Sequence, residues 1–208
     1  MTRRLTATAL IGIVTVAVSA IAIFVGGVDF WAVFAGFIPG RLSGVMDLPG
    51  ALPAWVTPLS SALVHGGWVH LGVNMLMLAF AGSQVERLVG GPGLVFAYII
   101  GAIVAALAQF IVDPSSPIPM IGASGAISAL FGLYALFFGQ PKQLTSNRRL
   151  NRSIHVAWLL VTWVVLQWMA GYLAGGQGVM LATPAHIGGF IAGLLLQKPL
   201  ILWKYRKA

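Results

Sequence analysis

The chain has 208 residues, 59% of them hydrophobic and only 8% charged, with a net charge of +8 and no cysteine. A soluble domain of this length would carry roughly 25% charged residues, so a water-solvated globule is excluded. Disulfides and thiol chemistry are excluded with the cysteines.

Six apolar runs follow one another, each of the length needed to cross a hydrocarbon core of about 30 Å. They cover about 5–25, 69–88, 94–112, 121–139, 154–174 and 184–203. The first follows Arg3 and Arg4 and contains a weakly cleavage-like "AVSA" at 17–20. Its apolar stretch continues through "IAIFVGG", beyond a usual signal core, and so reads as an uncleaved span. The connection from about 26 to 68 is the longest. It opens with Phe30, Trp31, Phe34 and Phe37 and is then broken by Pro39, Pro49, Pro53 and Pro58. Short amphipathic helices lying in the outer interface are expected there. The 140–153 connection is polar and basic and reads as mobile. The 175–183 connection, "GGQGVMLAT", is glycine-rich and uncharged, which suits a flap. No internal repeat and no soluble appendage are evident, so residues 1–208 read as one membrane domain.

Charge sets the orientation. With both termini cytoplasmic, the inner segments hold Arg3, Arg4, Arg87, Lys142, Arg148, Arg149, Arg152, Lys198, Lys204, Arg206 and Lys207, leaving only Arg41 outside. Asp29, Asp47 and Asp113 all fall outside. This is the positive-inside pattern. The basic excess therefore reports topology and contact with anionic membrane lipid, with no nucleic-acid partner implied.

Polar residues within spans are costly and by default functional. Here they are His70 and Asn74 in the second span, Ser124 and Ser128 in the fourth, and His186 in the sixth. His65 stands just before the second span and His155 opens the fifth. The second, fourth and sixth spans run from outside to inside, and His70, Asn74, Ser124 and His186 each fall within the first few residues of their span. The four side chains should share one outer layer, with His70 and Asn74 on one helix face.

Taken alone, Ser124 reads as packing polarity bonded to a backbone carbonyl, His186 as a structural or proton-relay group, and Asn74 as helix-association polarity. Their shared depth favours a site. Gly122 and Gly125 flank Ser124, while Gly189 and Gly193 repeat at GxxxG spacing after His186. Small residues at that interval let membrane helices approach closely.

"HGGWVHLGVNM" (His65, His70, Asn74), "GASG" (Ser124) and "AHIGGFIAG" (His186) together resemble the rhomboid family of intramembrane serine proteases. "GSQVERLVG" (82–90) fits the family's GxxxExxxG. These matches occur in the family's order and extend over essentially the whole chain. The resemblance implies an all-α, six-span bundle that hydrolyses peptide bonds of single-span membrane proteins, without cofactor or metal. It also implies a bacterial plasma membrane location. Ser124 would be the nucleophile and His186 its base. His70, Asn74 and the Ser124 N–H would face the oxyanion, with Gly122 lining the substrate position. His65, Gly125, Gly189 and Gly193 would support them. The 175–183 loop and neighbouring span ends would move to admit substrate.

Two departures stand out. No Arg accompanies Trp55, where many members have a Trp–Arg pair in the first loop. Ser128 occupies the position, four after the nucleophile, where many members carry an aromatic against the catalytic His.

Two other functions compete. A catalytically inactive, client-binding relative would be expected to lack the Ser or His, and both are present. A small transporter would distribute its polar groups through the membrane depth and use a carboxylate relay. A metalloprotease finds no HExxH.

Overall fold

The computed structural model describes residues 5–137, 141–173 and 182–206. Those residues are helical apart from connections and a single antiparallel bridge between Phe37 and Met120. Helix α1 (Ala7–Phe24) covers the first predicted span. The aromatic connection folds into α2 (Gly27–Ala35), α3 (Pro39–Leu42) and α4 (Thr57–Ser60), the short helices expected of it. Next come α5 (Trp68–Met77), α6 (Ser83–Val112), α7 (Ser124–Phe137), α8 (Arg148–Leu173) and α9 (Thr183–Lys204). Among the described residues, Ala7–Phe24, Trp68–Val112 and Thr183–Lys204 are long and apolar enough to cross a membrane, and Ser124–Ala135 is a shorter apolar helix.

The second predicted span runs through α5, a π turn at Leu78–Gly82 and the start of α6; the non-helical Gly90 then separates it from the rest of α6, which carries the third. The break expected between those spans, at 89–93, falls at Gly90 and is tight. Gly90 has φ +78°, a conformation open to glycine, and Pro92 follows it. The GxxxExxxG motif gains a physical account here. Glu86 accepts hydrogen bonds from the Ala7 N–H (2.7 Å), the Thr8 N–H (2.9 Å) and the Thr8 hydroxyl (2.6 Å). A carboxylate at a helix N-terminus satisfies orphan N–H groups and complements the dipole. Gly82 lets Thr8 approach, since a Cβ there would lie 2.9 Å from Thr8 Cγ2. One motif therefore seats α1 and turns the chain.

The segment read as mobile is tied down where it is described. Asn147 Oδ1 accepts the N–H groups of Arg149 and Leu150, capping α8, which therefore starts at Arg148 rather than near 154. Buried Asn151 exchanges hydrogen bonds with Thr145, accepting its N–H (2.9 Å) and hydroxyl (2.9 Å) and donating to its carbonyl (2.8 Å). The expected flap at 175–183 lies outside the described residues up to position 181.

Helices α6, α7 and α9 form the centre of the molecule. Their contacts are made by small residues: Gly101 lies against Ala129, Gly125 against Ala105 and Gly188 against Ala108. Gly189 and Gly193 meet the carbonyls of Gly125 and Ala129, and Gly132 meets that of Phe190. Backbone touches backbone along the α7–α9 seam.

Candidate functional site

The site grows from the connection into α7. Met120 and Phe37 exchange backbone hydrogen bonds of 2.8 and 2.9 Å, and Gly122 N–H donates to the Ser61 carbonyl at 2.9 Å. These bonds moor the strand-like approach to the outer connection. That connection is itself held by Arg41, whose Nη2 donates to the Leu52 carbonyl at 2.7 Å. Loop anchoring by an arginine is thus present, though not beside Trp55.

Ser124 is the first residue of α7, where backbone N–H groups lack intrahelical partners. His186 sits in the first turn of α9, and its Nε2 lies 2.8 Å from Ser124 Oγ. Among the described residues its Nδ1 is buried without a partner. A neutral imidazole that accepts the Ser124 proton at Nε2 carries its own proton on Nδ1, where no carboxylate among the described residues receives it.

His70 and Asn74 occupy successive turns of α5. His70 Nδ1 accepts the Gly66 N–H at 3.3 Å, which puts the ring proton on Nε2. That ring faces Gly122. At φ +115°, a Cβ on Gly122 would stand 2.8 Å from His70 Nε2. Asn74 is fully buried; its Nδ2 donates to the His70 carbonyl at 2.9 Å, and its Oδ1 has no partner among the described residues. Nδ2 keeps a second N–H.

His65 joins three segments. Ser19 Oγ donates to the Leu63 carbonyl at 2.8 Å and lies 2.9 Å from His65 Nδ1. With the hydroxyl proton committed to Leu63, Nδ1–H donates to Ser19, and Nε2 is free to accept the Ala123 N–H at 3.3 Å. Burial first, and the neighbouring His70 second, lower the pKa of this imidazole to about 3. The neutral ring links α1 to the residue before Ser124.

Ser128 has its own partners. Its hydroxyl donates to the Ser124 carbonyl at 2.7 Å and accepts the Trp163 indole N–H at 2.5 Å. The structure thus brings Ser124, His186, His70 and Gly122 together, with His65 and Asn74 one contact behind. Gly125, Gly189 and Gly193 line the helix seam. Sequence reasoning missed Ser19 and Trp163. A lone serine in a greasy helix and a tryptophan in another carry no signal of their partners.

A fold of packed apolar helices, with a serine and a histidine in hydrogen-bond contact within it, defines a helical integral membrane protein. The Rhomboid domain model matches residues 53–203, and the chain belongs to the rhomboid family. It is 30% identical over 145 residues to RHOMBOID-like protein 5 of Arabidopsis thaliana, covering 69% of this chain and 43% of that protein. It is 29% identical over 139 residues to the rhomboid protease GluP of Bacillus subtilis (67% and 25%). It is also 29% identical over 142 residues to the rhomboid protease GlpG of Yersinia pestis (68% and 46%). The chain spans less than half the length of these relatives.

Proposed function

We propose that this protein is an intramembrane serine endopeptidase that cuts single-span membrane proteins through a Ser124–His186 dyad. The observation that carries the proposal is the 2.8 Å separation of Ser124 Oγ and His186 Nε2, within proton-transfer reach. In this reading His186 takes the Ser124 proton as Oγ attacks the scissile carbonyl. The tetrahedral oxyanion is met by His70 Nε2–H, Asn74 Nδ2–H and the Ser124 N–H at the α7 N-terminus. The imidazolium then protonates the leaving amine. Water, activated by His186 in turn, hydrolyses the acyl-enzyme.

The same reading has six spans with both termini cytoplasmic, residues 1–208 as one rhomboid domain, and a bacterial plasma membrane as its location. The charge distribution and the parallel first turns of α5, α7 and α9 support it. The substrate must unwind locally, because a helix buries its carbonyls in hydrogen bonds.

A fluorophosphonate probe tests whether Ser124 is nucleophilic. Labelling of the wild type and none of Ser124→Ala or His186→Ala is expected. An unlabelled wild type would favour a client-binding relative that does not cut.

A further inference from the structure

Trp163 lies in α8, far along the chain from the residues read as the dyad, yet it touches the neighbourhood of both. It is 1% exposed, the largest of the fully buried side chains among the described residues. Its indole N–H donates to Ser128 Oγ, and Ser128 passes its own proton to the Ser124 carbonyl. The two bonds therefore run in one direction: indole to serine to the Ser124 backbone. The Trp163 ring also stands edge-on to the His186 ring, with centroids 6.5 Å apart and an interplanar angle of 68°. That is within the range of favourable aromatic pairs. On its other side Phe131 stacks on it at 4.4 Å and 23°.

His186 needs such a neighbour. Its Nδ1 has no hydrogen-bond partner among the described residues, so beyond its bond to Ser124 the ring is aimed by packing. The position four residues after Ser124 is a serine too small to supply that packing. Gly189 brings the α9 backbone against Ser128, with a Cβ there only 3.1 Å from the Ser128 Cβ. Position 128 thus borders the turn of α9 that carries His186.

We propose that Trp163 is the positioning residue for His186, and that Ser128 and Trp163 are two halves of one device. The aromatic surface comes from α8, and the serine replaces an aromatic on α7 so that the indole can be received and fixed. This rests on the dyad reading. Trp163 takes no part in bond making; it holds the imidazole at the angle from which Nε2 meets Ser124 Oγ.

The test uses the full-length protein in detergent and a fluorophosphonate probe, with inactivation kinetics resolved into kinact and KI. Trp163→Val should lower kinact about tenfold, the scale of a lost aromatic pair, with KI changed less than twofold. Adding Ser128→Phe to Trp163→Val moves an aromatic to α7 at similar total volume, and should recover kinact to within about threefold of wild type. Adding Ser128→Leu instead refills the space without an aromatic. It should restore the thermal unfolding midpoint but leave kinact low. Equal recovery by leucine and phenylalanine, or an unchanged kinact in Trp163→Val, would overturn the proposal. A wild type that does not label at Ser124 removes the dyad reading itself, an outcome distinct from either.

Discussion

Gly189 of α9 faces the carbonyl oxygen of Gly125 of α7 with no room for a side chain between them. His186 is one turn before this contact and Ser124 is next to it, so the close approach is what brings Nε2 within 2.8 Å of Oγ. Gly189→Ala puts a methyl group onto backbone, which cannot give way as a side-chain tip can. The expected loss is about 3 kcal/mol of stability, read as a lower unfolding midpoint in detergent. Gly72→Ala is the matched control. It lies in a helix with nothing within 4 Å of its Cβ, and its midpoint should hold or rise.

The groups assigned to the oxyanion should act on the chemical step. His70→Ala and Asn74→Ala are each expected to lower kcat about a hundredfold, with KM moved little. Gly122→Ala should do comparable damage while leaving both donors present. Its Cβ would meet His70 Cε1 at 2.7 Å and its φ of +115° disfavours any side chain. Steady-state kinetics on a cleaved peptide separates kcat from KM.

His65 gives a pH dependence with a defined sign. Its pKa falls from 6.5 to about 3 on folding, through burial first and the nearby His70 second. The unfolded chain therefore binds a proton that the native chain refuses. The stability contribution is present above pH 6.5 and is lost as pH falls from there toward about 3. Unfolding midpoints measured across that window should decline in the wild type and decline less steeply in His65→Gln. Parallel slopes would count against a neutral, buried His65.

Much of the site was legible in the sequence because its logic is one of depth. Residues in the first turns of same-direction helices share a layer, and that holds for Ser124, His186 and His70. What escaped was decided by distant pairing. Ser19 looks like incidental polarity in α1 until His65 needs an acceptor. Trp163 looks like any lipid-facing aromatic until Ser128 receives its indole. The break between the second and third spans was legible because Gly-Gly-Pro-Gly is breaker chemistry; its compactness was not, since Gly90 alone, at positive φ, separates the two helical stretches. The α8 start was set late because the 140–153 stretch is polar, a property that also suits an asparagine-capped helix end.

Cleavage in liposomes tests the central claim most directly. Purified wild type, Ser124→Ala and His186→Ala would each be incubated with a panel of transmembrane peptides, and the products weighed by mass spectrometry. The dyad predicts discrete cuts by the wild type at sites near the outer membrane face, absent from both variants. Cleavage that survives in both variants would contradict it.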